Sequence, residues 1–150
     1  MPARNPVFVD TSGWIAILNA DDRFHAQATE QLRQFGTAGR PLITTDWVFA
    51  EAGNGLARAT VRSRVVQAIR VFLQSPSAQL IRVDEEIFQR ALTLYEQAVD
   101  KTWGLVDCAS FVVMRAQDLL DALSSDHHFE QAGFRCLLPT GPADRQARGN

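Results

Sequence analysis

Hydrophobic positions along the chain fall into two patterns, short continuous apolar runs and longer amphipathic stretches. The short runs are bounded by turn residues and are typical of strands buried on both faces, whereas a period of about 3.6 residues indicates helices. The two patterns alternate, and such alternation favours a parallel sheet covered by helices. The predicted strands occupy 6–10, 41–44, 79–83, 122–124 and 135–138, and the predicted helices occupy 12–19, 24–35, 47–59, 62–74, 84–99, 105–120 and 127–132.

The pattern therefore predicts a three-layer α/β fold. A turn around Thr60 separates the third and fourth helices, and Asp84 is suited to cap the fifth. No internal repeat or linker interrupts residues 1–138, so they are expected to form one domain, and residues 139–150 are expected to form a flexible tail. Ligands of such folds bind beyond the carboxyl ends of the strands, which makes polar residues at those ends the first candidates for function.

Composition and charge narrow the class of protein. The chain has 150 residues, of which 46% are hydrophobic and 21% charged, and a formal net charge of −2. These values exclude a disordered chain, a collagen-like scaffold and a protein that binds nucleic acid through overall basicity alone. No apolar run is long enough to predict a membrane span, and Val7, Phe8 and Val9 are too few for a signal peptide. Cys108 and Cys136 are isolated and suit reduced thiols, so we expect a soluble cytoplasmic protein.

Four carboxylates stand in apolar surroundings. Asp10 and Asp126 end predicted strands, Asp107 heads the most apolar helix, and Glu51 lies on the face of its helix that is expected to point inward. Each one alone has an ordinary explanation, since the aspartates could cap helices and Glu51 could point to solvent. Together they predict a cluster at the carboxyl edge of the sheet.

Such a cluster has a chemical consequence. Repulsion and desolvation of several carboxylates in one cleft are unfavourable, and a divalent cation reverses that balance. Oxygen ligands without His or Cys in ligand spacing favour Mg²⁺ or Mn²⁺ over zinc. Such ions are commonly shared with phosphate oxygens, so the cluster predicts metal-assisted attack of water on a phosphodiester.

The acidic motifs carry a family resemblance. DTS starting at Asp10, FAEAGNGLAR around Glu51, WGLVDCASFVVM around Asp107 and LSSDHHFEQAGF around Asp126 resemble, in this order, the motifs of PIN domains. The similarity spans about residues 7–138 and is greatest to the VapC-type toxins of prokaryotic toxin–antitoxin pairs. The resemblance implies a Rossmann-like sheet of four to five parallel strands flanked by about seven helices, and a Mg²⁺- or Mn²⁺-dependent ribonuclease. It also implies a homodimer, and an antitoxin whose peptide enters the active-site groove.

The resemblance also assigns roles to residues. Asp10 and Asp107 would be the firmest metal ligands, with Glu51 and Asp126 ligating directly or through water, and these four would be the catalytic acids. The hydroxyls of Ser12 and Ser124 would orient carboxylates or phosphate. Many family members have Thr where this chain has Ser124, a change that keeps the hydroxyl.

A basic segment lies between the second and third acidic motifs. No acidic residue occurs between Glu51 and Asp84, whereas five arginines do, namely Arg58, Arg62, Arg64, Arg70 and Arg82. Guanidinium groups suit phosphates, so Arg58, Arg62 and Arg64 are candidate RNA contacts. A solvated helix face, or a face that meets acidic residues of an antitoxin, is the alternative.

Two alternatives to the ribonuclease stay open. One is a non-catalytic module that binds RNA or sequesters an antitoxin, although a binder gains nothing from clustered carboxylates. The other is a structure-specific DNA nuclease that uses the same site. His127 and His128, which follow Asp126, are expected near the mouth of the site or in solvent.

Overall fold

The computed structural model describes residues 5–141 and contains a five-stranded parallel sheet with strand order β3-β2-β1-β4-β5. The chain runs outward from the central strand β1 to one edge, returns, and then completes the other edge. This reversal places the topological switch point between β1 and β4, where α/β sheets bind their ligands. The elements follow in the order β1 (Val7–Val9), α1 (Thr11–Leu18), α2 (His25–Ala38), β2 (Leu42–Thr45), α3 (Asp46–Gly55), α4 (Ala59–Gln74), β3 (Ala78–Ile81), α5 (Glu85–Gln97), α6 (Leu105–Ala116), β4 (Asp121–Leu123), α7 (His127–Gln131) and β5 (Arg135–Cys136).

The predicted fold class and order of elements are confirmed, while several boundaries differ. The break between α3 and α4 falls at 56–58, and Thr60 lies inside α4 rather than in a turn. Helix α6 ends at Ala116, four residues before the predicted end, because Asp118 adopts a left-handed backbone (φ 53°) and so reverses the chain. Of the predicted tail, residues 142–150 lie outside the described part of the chain.

The core lies around the central strand. All three residues of β1 are fully buried, as expected for a strand covered on both faces. On the side of α7, the ring of Phe8 lies 6.3 Å from that of Phe129, which in turn meets Phe111 of α6 at 4.9 Å between ring centroids. These contacts hold α6 and α7 against the sheet and thereby fix the positions of the acidic residues at their amino ends.

Helix α1 approaches the end of β4 unusually closely. A Cβ atom at Gly13 would stand 2.1 Å from the carbonyl oxygen of Leu123, so no residue other than glycine fits without moving the backbone. The Asp10 amide also donates a 3.2 Å hydrogen bond to that carbonyl. The close approach brings the chain after β1 beside the chain after β4, although these segments are more than a hundred residues apart in sequence.

A second buried aspartate lies at the opposite end of the sheet. Asp121 begins β4 and accepts hydrogen bonds from Arg40 Nη2 at 2.7 Å and from Arg135 Nε and Nη2 at 2.7 and 2.9 Å. Burial, the largest single influence, raises the pKa of Asp121, but the two guanidinium groups outweigh it and hold the pKa below its usual range. This end of the sheet is therefore held by a carboxylate with two cationic partners.

Within residues 5–141, no helix is both long enough and apolar enough to cross a lipid bilayer.

Candidate active site

Asp10 is the most buried of the predicted site residues. It follows β1 at the switch point, and only 3% of its surface is exposed. Its Oδ2 atom accepts hydrogen bonds from Ser12 Oγ at 3.1 Å and Ser124 Oγ at 2.9 Å. Burial, followed by the negative charges of Asp107 and Asp126, raises the pKa of Asp10 to about 7. Burial and the two neighbouring carboxylates thus disfavour the charged form of Asp10.

Two serine hydroxyls donate hydrogen bonds to this carboxylate. The Ser12 and Ser124 hydroxyls lie 3.2 Å apart, and they accept hydrogen bonds from the backbone amides of Ser125 and Asp126, each at 3.0 Å. Because these amides donate to the hydroxyl oxygens, the single hydrogen of each hydroxyl is available to donate to Asp10 Oδ2. Both serines that the resemblance assigned to the site thus orient its central carboxylate.

Asp107 and Asp126 lie at the amino ends of α6 and α7. Asp107 Oδ2 accepts the Gly104 amide at 3.0 Å, and Asp126 Oδ1 accepts the His128 amide at 3.0 Å. The side chains are 16% and 14% exposed, respectively. Both residues therefore stabilise a helix start, which was the ordinary explanation for them, and at the same time present their charge to Asp10.

Glu51 reaches the site from a different direction than predicted. It is exposed rather than on the buried face of α3, so the predicted inward orientation is wrong. The buried ring of Phe49 packs against Trp14 and Phe72, with centroids 5.1 and 5.3 Å apart, and this packing turns residue 51 outward. Glu51 Oε1 nevertheless accepts a 2.6 Å hydrogen bond from the hydroxyl of Thr11, the neighbour of Asp10, and so lies at the rim of the site.

His128 lies within the cluster, whereas it was expected near the mouth of the site or in solvent. Its side chain is only 12% exposed, and its Nδ1 atom lies 3.3 Å from Asp107 Oδ2 and 3.2 Å from Asp126 Oδ1. His127 is farther away, with Nδ1 at 3.8 Å from Asp126 Oδ1. The available signal was the position of His128, two residues after Asp126 on the first turn of a helix whose Phe129 is buried.

The donor atoms of the cluster fit a divalent cation. Asp126, His127 and His128 each offer a ligand atom within 4.8 Å of the others, and the charge of Asp107 acts on the same cleft. The buried Nδ1 of His128 forms no hydrogen bond within residues 5–141. A bound cation would stabilise the ionised form of a carboxyl whose pKa is raised. It would also give the buried nitrogen a partner for its lone pair. The set differs from the predicted one because it contains nitrogen as well as oxygen.

The three arginines predicted to contact RNA are exposed near the amino end of α4. Arg58 precedes the helix, and Arg62 Nη1 donates to the Ala57 carbonyl at 2.9 Å. In the described part of the chain, Arg58, Arg62 and Arg64 form no ion pair with a carboxylate, whereas Arg82 approaches Asp46 at 4.0 Å. Their guanidinium groups are therefore available to an external anion.

Comparison with known proteins places the chain in a family. Residues 7–135 match the PIN domain family. The chain is 29% identical over 133 residues to the 23S rRNA-specific endonuclease VapC20 of Mycobacterium tuberculosis, in strain CDC 1551 / Oshkosh and in strain H37Rv, with 89% of this chain and 98% of the relative covered. The crystal structure of M. tuberculosis VapC20, described as a sarcin–ricin loop cleaving toxin, has a TM-score of 0.74 at 28% identity and covers 86% of this chain and 96% of its own. The chain belongs to the PIN domain family, as the resemblance of its acidic motifs predicted.

Proposed function

We propose that this chain is a metal-dependent endoribonuclease that hydrolyses RNA phosphodiesters, and that it is the toxin of a type II toxin–antitoxin system. The observation that carries the proposal is the convergence of Asp107 and Asp126 on the buried carboxyl of Asp10 at the switch point of the sheet. The similarity to a VapC20 endonuclease over nearly the whole chain supports it.

Each residue of the cluster has a role in this proposal. Asp10 and Asp107 would hold Mg²⁺ or Mn²⁺, with Asp126 and the exposed Glu51 binding it directly or through water. When bound, the cation supplies the charge that activates a water molecule and stabilises the leaving oxygen. Ser12 and Ser124 would keep the Asp10 carboxylate in one orientation by donating to Oδ2.

The substrate class that fits this site is RNA. The relative's name specifies 23S rRNA, and a fragment of that RNA is therefore the first substrate to test here. The exposed Arg58, Arg62 and Arg64 would bind phosphates of the RNA, with no need for overall basicity.

Protein partners are part of the same proposal. We expect a cognate antitoxin and a homodimer, as the VapC-type resemblance implies. Apolar side chains for such contacts are exposed on α4 and α5, among them Val66, Val71, Phe88 and Tyr95.

Cleavage of labelled RNA by the purified chain tests the activity. With Mn²⁺ we expect cleavage that EDTA abolishes and that Asp10→Asn reduces roughly 10³-fold, because several kcal/mol of transition-state stabilisation are lost with the bound cation. Asp118→Asn, a matched change in an exposed turn, should leave cleavage intact. Cleavage that persists in EDTA, or equal cleavage by Asp10→Asn, would contradict the proposal, and cleavage of DNA alone would favour the DNA nuclease.

The arginine contacts are tested by binding at varied salt, using the inactive Asp10→Asn background. Replacing Arg62 and Arg64 by Glu should weaken RNA binding and lower the slope of log K against log salt by about 1.4, the value for two lost phosphate contacts on a single strand. The double change Arg33→Glu and Arg90→Glu alters the net charge equally on other helices and serves as the control. Unchanged affinity at low salt in the Arg62/Arg64 variant would show that this face does not bind RNA.

A further inference from the structure

The two ring nitrogens of His128 have different surroundings. Nε2 lies 3.0 Å from the hydroxyl oxygen of Thr102, in the loop before α6. Nδ1 is buried and forms no hydrogen bond within residues 5–141, although the carboxylate oxygens of Asp107 and Asp126 lie 3.3 and 3.2 Å away. The Nδ1 atom is thus close to two carboxylates without the geometry of a donor to either.

This arrangement matches an imidazole prepared to ligate a cation through Nδ1. A ligating His commonly uses its second ring nitrogen to hydrogen-bond a neighbour, which fixes the tautomer and the ring orientation. In the tautomer in which Nε2–H donates to Thr102 Oγ1, Nδ1 carries the lone pair and faces the two carboxylates. In this tautomer three electron-pair donors lie close together, and a bound cation would stabilise the arrangement.

The separations of His128 Nδ1 from the two carboxylate oxygens agree with ligands of one cation. Ligands at about 2.1 Å from one ion stand roughly 3.0 Å apart at right angles and roughly 3.4 Å apart at tetrahedral angles. The observed separations of Nδ1 from Asp107 and Asp126, 3.3 and 3.2 Å, fall between these values. His127 Nδ1 is farther from Asp126 Oδ1, at 3.8 Å, although it belongs to the same set of donors.

We propose that His128 is a direct nitrogen ligand of the cation held by Asp107 and Asp126, and that Thr102 is the residue that positions it. This inference rests on the proposed metal-dependent function of the same site. Imidazole is a better ligand for first-row transition ions than for Mg²⁺, which prefers oxygen. The site therefore selects Mn²⁺ over Mg²⁺ by more than an all-carboxylate cluster would.

Pulsed electron paramagnetic resonance of the Mn²⁺-loaded full chain without RNA tests the ligand directly. We expect a ¹⁴N coupling to Mn²⁺ that disappears in His128→Ala and persists in His25→Ala, a change of a histidine on α2 outside the cluster. We also expect His128→Ala to weaken Mn²⁺ binding at least about tenfold and to alter Mg²⁺ binding less. Absence of nitrogen coupling in the wild-type complex, or its loss in His127→Ala alone, would overturn the inference.

Thr102 provides a second test that leaves the ligand in place. Thr102→Val removes the hydroxyl at nearly constant shape and should weaken Mn²⁺ binding about tenfold, whereas Thr102→Ser should keep the wild-type affinity. Equal affinities of the two variants would contradict the positioning role.

The two proposals can fail separately. Mn²⁺-dependent RNA cleavage without a nitrogen coupling would overturn the role of His128 and leave the ribonuclease intact. Failure of the wild-type chain to bind Mn²⁺ or Mg²⁺ at all would overturn both.

Discussion

Two buried aspartates at opposite ends of neighbouring strands have very different surroundings, and the difference indicates different roles. Asp10 follows β1 and Asp121 begins β4, and they are 3% and 5% exposed. Asp121 is paired with Arg40 and Arg135, and its pKa is lowered. Asp10 is bracketed by two serine hydroxyls, and burial together with neighbouring carboxylates raises its pKa to about 7.

The difference separates a structural carboxylate from a functional one. Burial of an ion is unfavourable in both places, and at Asp121 the protein offsets it with its own guanidinium groups. Around Asp10, the described residues supply hydroxyl donors and further negative charge. Such an environment lowers the stability of the metal-free protein. A bound divalent ion offsets the repulsion between the carboxylates, which is the expected property of a metal site.

The largest expected effect concerns pH in the metal-free protein. The Asp10 carboxyl releases its proton near 3.8 when unfolded and near 7 when folded, so the folded state binds more protons between these values. The free energy of unfolding should therefore fall as pH rises through this window, by about 4 kcal/mol in all. Urea unfolding in EDTA at pH 4 to 8 measures it.

The matched variants isolate the contribution of Asp10 from that of other groups. Asp10→Asn removes this titration. The difference between the free energies of unfolding of the variant and of wild type should therefore grow in favour of the variant as pH rises through the same window. Asp118→Asn should follow wild type at every pH. A constant difference between Asp10→Asn and wild type would show that Asp10 titrates normally.

The next effect concerns the paired aspartate. Asp121→Asn should lower the free energy of unfolding by about 3 kcal/mol, the lower end for a broken buried ion pair, because the Arg135 partner is largely exposed. Thermal or urea unfolding at pH 7 measures the loss. Mn²⁺ affinity should be unchanged, and a parallel loss of metal binding would show that the two ends of the sheet are coupled.

The smallest effect is the stabilisation by metal. Mn²⁺ at about a hundred times its Kd should raise the free energy of unfolding of the wild-type chain by about 2.7 kcal/mol. Asp121→Asn should keep this increment, whereas Asp10→Asn should lose most of it. Unfolding curves with and without Mn²⁺ measure it, and an equal increment in Asp10→Asn would place the bound ion elsewhere.

Much of the fold was predictable because local signals identify its elements. The alternation of apolar runs and amphipathic stretches located every strand and helix of the described chain, with boundaries off by a few residues. One error lies at Asp118, where the left-handed backbone of a single residue ends a helix. Another lies at Thr60, because α4 begins before the first apolar residues that reveal its period. Neither feature has a strong periodic signal.

The candidate site was predictable in part. Asp10, Asp107 and Asp126 stood at strand or helix ends in the sequence, and they act on one another in the structure. Glu51 was misplaced because a helix turns about 100° per residue, so a small error in its rotation exchanges an inward for an outward position. His128 was expected only near the mouth of the site or in solvent, because its contact with Asp107 of another helix has no signal in the sequence.

The sequence by itself determined the order of strands and helices and the positions of the carboxylates relative to strand ends, since periodicity and capping act over only a few residues. The tertiary structure alone decided that Ser12 meets Ser124 across 112 positions and that Gly13 lies against Leu123. It also decided that His128 stands between two carboxylates. These contacts depend on helix rotations and ångström-scale separations, which only the packing of the whole core fixes.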